Sequence, residues 1–357
     1  MLLHIFNPEH DLALAADSKS FTAPHAGREL RADFSFIPAF WAEQGDLVLV
    51  DDIDLAKQRL LRTGGHIPPV EFITIDQLSA SVDSLISNSH FGISPWGWDK
   101  SLKYELLSKC DALLPYLPDD DRLEAVRQLS SRQWTAAHLQ KNVLYCKSIE
   151  EAEDRLKTRQ EAVLKAPWSS SGRGIRFYQP GNKQQMQWVA HIIRCQGGII
   201  IEPRYKRVKD FGMEFEAMDD GSISYCGLSL FDTVNGNYTG NILSTEEQKV
   251  KMMEQYISGD QLEAIRKRLV QRLQKAVKGV YAGPFGVDMM VYAKDKVSLV
   301  HPEYGINDCV EINWRRTMGH VALSLSPVEQ VLPRIMNINF DGSHYHLSVC
   351  AVEKGTF

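Results

Sequence analysis

The sequence predicts an α/β domain with an open, largely parallel sheet, followed by an α+β region in two parts. Three observations carry this. Short apolar runs alternate with helix-like segments over about the first hundred residues. Near the middle, two short strands flank a Ser/Gly loop. Beyond it, an Asp-Asp-Gly turn separates two strand-like segments and marks an antiparallel hairpin.

In chain order, residues 2–6 form a short buried strand, residues 47–50 a second and residues 72–75 a third, with the polar segment 53–61 as a helix between them. Gly92-Ile93-Ser94 is a further strand. An acidic stretch at 118–122 opens a helix whose Leu123, Val126 and Leu129 share one face, and it sets the first domain boundary. A strand at 162–165, the Ser/Gly loop, a strand at 175–178, a helix at 184–195 and an apolar strand at 198–201 follow. The hairpin pairs 213–218 with 222–230. One long charged helix is predicted over 245–280, with Leu262, Ile265, Leu269 and Leu273 at helical spacing. Strands at 285–292, 297–300 and 309–313 complete this part. The expected domains are 1–125, 126–201, 202–325 and a carboxyl-terminal extension, 326–357.

Composition narrows the function. Lys plus Arg total 40 against Asp plus Glu 45, a net charge of -5 spread along the chain, which excludes a basic nucleic-acid footprint. The 6 cysteines are scattered, with no C-x-x-C pair, and are expected to be reduced and mostly buried. No apolar stretch approaches the roughly 20 residues that span a bilayer, and the amino terminus turns polar after Phe6, so a cytoplasmic protein without membrane partners is expected.

Three segments carry chemistry. In the first, Lys165 ends a strand before Ser169-Ser170-Ser171-Gly172-Arg173-Gly174. Glycines let backbone N–H groups approach an anion, serines add donors and the lysine fixes a positive charge, a design for phosphates; an ordinary Ser/Gly hairpin has the same appearance. In the second, the apolar strand 199–201 meets Glu202-Pro203-Arg204-Tyr205. Proline ends strand pairing, so this is a hinge where backbone groups of Pro203, Arg204 and Tyr205 face an adenine edge and Glu202 accepts from its amine, or else a strand end with an exposed acid. In the third, Asp288 sits mid-strand among apolar residues, and Glu311 and Asn313 share a strand face. A carboxylate such as Asp288 is costly unless paired or bound to metal, and the three oxygen-bearing side chains suit Mg²⁺ held jointly with nucleotide phosphates. Arg315 offers a planar fork for a phosphate or carboxylate. Each of these residues alone fits a satisfied structural role; the combination favours function.

Lys165 before the Ser/Gly loop, Glu202-Pro203, Asp210-Phe-Gly-Met-Glu214, Gly-Val-Asp288 and Glu311-Ile-Asn313-Trp-Arg315 together resemble the ordered motifs of the ATP-grasp superfamily over about residues 130–325. The resemblance implies a two-subdomain fold that clamps ATP, preceded by a domain on the substrate side. It implies that Lys165 and Arg173 contact phosphates, Glu202 the adenine and Glu214 the ribose or substrate side. Asp288, Glu311 and Asn313 would hold Mg²⁺, and Arg315 would steady an acyl-phosphate. The family's second upstream lysine has no clear counterpart; Arg132 and Lys147 are the substitutes. Residues 301–308 read as an insertion that makes Glu303 a lesser metal-ligand candidate.

The implied reaction is ATP-dependent activation of a small-molecule carboxylate for attack by an amine. A phosphotransferase that forms no amide and a nucleotide-binding protein without turnover are the alternatives. For the acceptor, the loop after the first strand supplies Asn7, Glu9, His10 and Asp11, where open α/β sheets bind ligands, and Trp98 and Asp99 follow the 92–94 strand. Asp232, Tyr238 and Asn241 are assigned to a polar loop, either one that covers the site or a simple surface loop. His344 and His346 are read as surface residues. A dinucleotide-dependent oxidoreductase is disfavoured, because no glycine-rich turn follows the first strand.

Overall fold

The computed structural model describes residues 1–63, 69–87, 90–169, 174–234, 237–294 and 303–352. Its first layer is the parallel sheet: β1 (Leu2–Ile5), β2 (Leu47–Leu49), β3 (Glu71–Ile73) and β4 (Gly92–Pro95), in the order β3-β2-β1-β4. Helices α1 (His10–Ala16), α2 (His25–Phe34), α3 (Ile53–Arg62), α4 (Ile75–Ile86) and α5 (Lys100–Lys109) connect and cover it. Local signals start them: Asp52 and Asp99 accept the backbone N–H of Leu55 and Leu102, and Thr74 forms a capping box with Gln77. Helices α6 (Asp120–Leu129) and α7 (Arg132–His138) lead out of this layer, with Leu123, Val126 and Leu129 buried as their spacing requires.

A small antiparallel sheet follows, built from β5 (Leu144–Cys146), β6 (Val163–Lys165), β7 (Ile175–Phe177) and β8 (Ile199–Glu202) in the order β5-β8-β6-β7. Helices α8 (Ile149–Leu156) and α9 (Lys183–Gln196) pack on it through Ala152, Leu156, Val189 and Ile192. The large antiparallel sheet has the order β10-β9-β13-β14, from β9 (Lys206–Ala217), β10 (Ile223–Ser229), β13 (Gly283–Ala293) and β14 (Tyr304–Asn313). Between β10 and β13 run β11 (Phe231–Val234), β12 (Asn237–Leu243), α10 (Glu246–Met253) and α11 (Gly259–Val277). After β14 come α12 (Met318–Leu325), β15 (Arg334–Phe340) and β16 (Tyr345–Ala351); the last two join β11 and β12 in a fourth sheet, β11-β12-β15-β16.

Several expectations need correction. The helix predicted over 245–280 is two helices, because Ser258 and Gln261 form a capping box that starts α11 afresh. Residues 304–308, read as part of an inserted segment, extend β14, where Asn307 and Ile306 pair with Met290 and Val291. The strand expected at 297–300 and the residues His301 and Pro302 lie outside the described residues. Asp232, Tyr238 and Asn241 belong to β11 and β12, not to a covering loop. All six cysteines are free, but Cys195, Cys226 and Cys350 are exposed, so only half are buried.

The fourth sheet is continuous with the first layer's core: Leu243, Met336 and Leu347 pack with Phe6, Phe34 and Phe36. No described helix is long and apolar enough to cross a membrane.

Candidate functional site

The alternation of β9, β13 and β14 sorts their side chains onto two faces. Phe211, Met213, Phe215, Val287, Met289 and Ile312 point into the core, against Leu262, Ile265, Leu269 and Leu273 of α11. The opposite face carries Asp210, Glu214, Asp288, Glu311 and Asn313. Register fixes their neighbours: Asp288 lies across from Glu311 and from Gly212, and Gly286 across from Asn313 and Glu214.

On this face Asn313 Nδ2 donates to Asp288 Oδ2 at 3.0 Å, and Arg315 Nη2 donates to Asn313 Oδ1 at 3.0 Å. Burial pushes the Asp288 carboxyl up to about 7, with the neighbouring Glu311 charge adding to it. Glu311 is held at 2.5 Å by Arg132 Nη2, at the start of α7. Arg132 Nη1 also donates to Ala166 O at 2.9 Å and to Ser169 Oγ at 2.7 Å, so one buried guanidinium joins the Ser/Gly loop to the carboxylate face. Its Nε is buried without a partner. This settles which basic residue stands beside the loop: Arg132 does, while Lys147 is exposed.

Lys165 is buried on β6, and its Nζ lies 2.6 Å from Glu202 Oε2 on the paired strand β8, with Lys165 in register with Ile200. The expected phosphate and adenine contacts therefore hold each other. The ends of the Ser/Gly loop close where Ala166 N donates to Gly174 O at 2.9 Å; a Cβ on Gly174 would collide with Ser169, so only glycine fits. Ser170, Ser171, Gly172 and Arg173 lie outside the described residues. Past Pro203, Arg204 faces Glu161 at the surface, and the Tyr205 ring packs on Tyr292 with centroids 4.4 Å apart.

Glu214, on the same face, is buried: Thr317 Oγ1 donates to its Oε2 at 2.8 Å, and His320 Nδ1 lies 3.1 Å from the same oxygen. A Cβ on Gly286 would come within 2.5 Å of Glu214 Oε2, and one on Gly319 would overlap Oε1, so two glycines make its cradle. Burial pushes the Glu214 carboxyl up to about 8, against the Thr317 hydrogen bond. His320 goes the other way, down to about 3, also through burial.

Of the acceptor candidates, Asp11 alone lines the cleft. Its carboxylate takes two hydrogen bonds from the Arg315 fork, at 2.9 and 2.7 Å. Burial pushes the Asp11 carboxyl up, but the Arg315 charge and hydrogen bonds outweigh it and leave it lowered. Asn7, His10 and Asp99 instead lock β1 to β4: Asn7 Nδ2 donates to Gly97 O at 2.8 Å, and His10 Nδ1 sits 3.1 Å from Asp99 Oδ2. Glu9 is paired with Arg31, Trp98 packs in the apolar core of the first layer, and Asn241 is buried and donates to Ser229. Glu303 faces Lys294 at the surface, away from Asp288. Sequence reasoning missed Thr317 and His320; Asp210, named only as the start of a motif, is half-buried on the same face, its carboxyl raised by burial against Arg207.

The cleft that results is narrow, lined by Asp11, Leu14, Trp168, Ser169, Glu311 and Asn313 among others. Among the described residues no three His, Cys, Asp or Glu side chains converge on a metal position. The oxygen donors present are two carboxylates and one amide.

No family model matches the chain, and no curated protein is a significant match to it. Solved structures similar to it include N5-carboxyaminoimidazole synthetase from Staphylococcus aureus complexed with ADP, at 13% identity, 95% coverage of this chain, 82% of that one and a TM-score of 0.48. Biotin carboxylase from Campylobacter jejuni, in a β-γ-ATP complex, has 13% identity, 96% and 77% coverage and a TM-score of 0.49. A candidate ATP-grasp superfamily protein from Archaeoglobus fulgidus has 13% identity, 99% and 100% coverage and a TM-score of 0.48. At such identity and TM-scores, residue roles in this chain rest on its own geometry.

Proposed function

We propose that this chain is an ATP-grasp enzyme of the cytoplasm that uses ATP and Mg²⁺ to phosphorylate a small carboxylate and passes the acyl group to an amine. One observation supports this above the others. Arg132 joins Ser169 of the Ser/Gly loop to Glu311, which shares its strand face with Asp288, Asn313 and Arg315 beside the cleft, and the buried Lys165 ends the strand that leads into that loop.

The donor set fits the cation. Mg²⁺ characteristically takes one or two carboxylates from protein and its other ligands from water and phosphates, so Asp288 and Glu311 with the Asn313 amide suffice without a third acid. A carboxyl held up near 7 by burial and a facing acid is what such a position shows without its cation. When bound, Mg²⁺ would neutralise charge on the transferred phosphoryl group.

The remaining steps fall to the chain. Lys165 and Arg132 release Glu202 and Glu311 to meet phosphate oxygens, and Arg132 has one unpartnered donor to offer. The substrate carboxylate oxygen attacks the γ-phosphorus, the bond to the β-γ bridging oxygen breaks, and ADP leaves with that electron pair. Arg315 orients the acyl group, and closure of the cleft excludes water. An amine then attacks the acyl carbon and phosphate departs; no protein nucleophile is required. Domains 126–201 and 202–325 would act as the two jaws, with 1–125 on the substrate side.

ADP release in the presence of ATP, Mg²⁺ and pooled carboxylates with and without amines tests this. Release that needs a carboxylate and is lost in Glu311→Gln is expected. Release independent of any carboxylate would contradict the assignment.

A further inference from the structure

The Asp11–Arg315 pair is out of proportion to a structural tie. It spans 304 residues and has bidentate geometry, yet its side chains remain 18% and 17% exposed and Asp11 borders the cleft. Such a pair contributes little net stability, because desolvation offsets attraction. The first layer is already fastened nearby by Arg316 N donating to Trp96 O at 2.8 Å and by the shared apolar core of Phe6, Phe34, Met336 and Leu347.

The pair's position beside the carboxylate face gives it another use. Arg315 also donates to Asn313, which donates to Asp288, so a carboxylate on the Arg315 fork would sit next to the residues proposed to hold Mg²⁺. Asp11 now occupies that fork. A ligand with only a carboxylate would displace Asp11 and leave a charged acid beside it with no partner. A ligand with only an amine would strand Arg315. Leaving one partner of such a pair uncompensated is strongly unfavourable. A ligand that carries both charges satisfies both residues.

We infer that the carboxylate substrate is an α-amino acid, bound with its carboxylate on Arg315 and its ammonium on Asp11. This rests on the ligase reading above and specifies its substrate class. Leu14, Pro167, Trp168 and Trp314 form the neighbouring walls, apolar surfaces that suit a neutral side chain.

The test uses the full chain with saturating MgATP and hydroxylamine as the amine, and reads ADP and hydroxamate. L-Alanine and L-leucine are compared with propionate and 4-methylpentanoate, which lack the amine, and with 3-methylbutylamine, which lacks the carboxylate. The amino acids should act at concentrations at least about tenfold lower than the desamino acids, because those leave Asp11 unpaired, and the amine should do nothing. Asp11→Asn should erase that preference while MgATP affinity stays unchanged; its melting temperature should fall, because Arg315 loses its anionic partner, with a cooperative transition retained. Equal activity of desamino acids in the wild type, an undiminished preference in Asp11→Asn, or MgATP binding with no turnover of either class overturns the inference alone. Failure of the wild type to bind MgATP overturns the ligase reading and this inference with it.

Discussion

Arg132 serves three partners from a buried position: Glu311, Ser169 Oγ and the carbonyl of Ala166. Replacing it with Ala leaves Glu311 facing Asp288 without a nearby cation from α7. Arg132→Ala is expected to cost about 2 to 3 kcal/mol of stability in urea unfolding, the usual loss when a largely buried charge loses its partner. Glu214 and His320 supply a pH signature. His320 Nε2 faces the Phe215 carbonyl, which only accepts, so Nε2 carries the proton and Nδ1 accepts. Nδ1 accepts from the Thr317 N–H at 3.2 Å, and Glu214, 3.1 Å from it, is kept protonated by burial, its carboxyl pushed up to about 8. Between pH 4.5 and 6.5 the folded pair holds one proton on Glu214 and the unfolded pair one on the histidine, so their contributions cancel. From pH 6.5 to about 8 only the folded chain keeps its proton, and stability falls as pH rises, on the order of 1.4 kcal/mol per unit. Below 4.5 the unfolded chain holds two, and stability falls as pH falls toward about 3. Glu214→Gln removes the carboxyl titration, so its stability relative to wild type should rise with pH across the whole window from 4.5 to about 8, on the order of 1.4 kcal/mol per unit.

At the scale of elements, the site depends on β13 and α12 bringing glycines against a buried carboxyl. Gly319→Ala puts a methyl where Glu214 Oε1 lies, and a loss of about 2 kcal/mol or more is expected from chemical denaturation, the range for overpacked cores. The strand face with Asp288, Glu311 and Asn313 was legible because period-two alternation leaves polar residues conspicuous in apolar runs. The Ser/Gly loop and the Asp-Asp-Gly hairpin were legible because their glycines have local meaning. Arg132 was harder: an arginine opening a helix looks like any solvated residue, and only the fold brings it to Glu311. The burial of Glu214 was not legible, because alternation gives the face and not the depth, and Thr317 and His320 cover it from a hundred residues later. The break in the long helix was present as Ser258 and Gln261, a capping signal overridden by the continuous apolar stripe.

For the whole molecule, contacts distant in sequence govern what pairs with what. Asp33 on α2 is buried and accepts from Arg59, from Tyr345 N at 2.7 Å and pairs with His344 at 3.0 Å, tying the first layer to the carboxyl-terminal strands. No local pattern encodes that pairing. Met336, fully buried between these strands and the first layer, should lose about 2 to 5 kcal/mol on replacement by Ala, the range for a large-to-small core change. A single unfolding transition for both regions is expected in that variant, by tryptophan fluorescence and circular dichroism alike. The central claim concerns the nucleotide site proposed beside the cleft lined by Ser169, Glu311 and Asn313, with Lys165 and Arg132 as its cations. Calorimetric titration of MgATP into the wild-type chain and into Lys165→Ala tests it most directly. Saturable binding by the wild type that needs Mg²⁺ and is lost in the variant is the expected result; no binding by the wild type at millimolar MgATP, or equal binding by both, would contradict it.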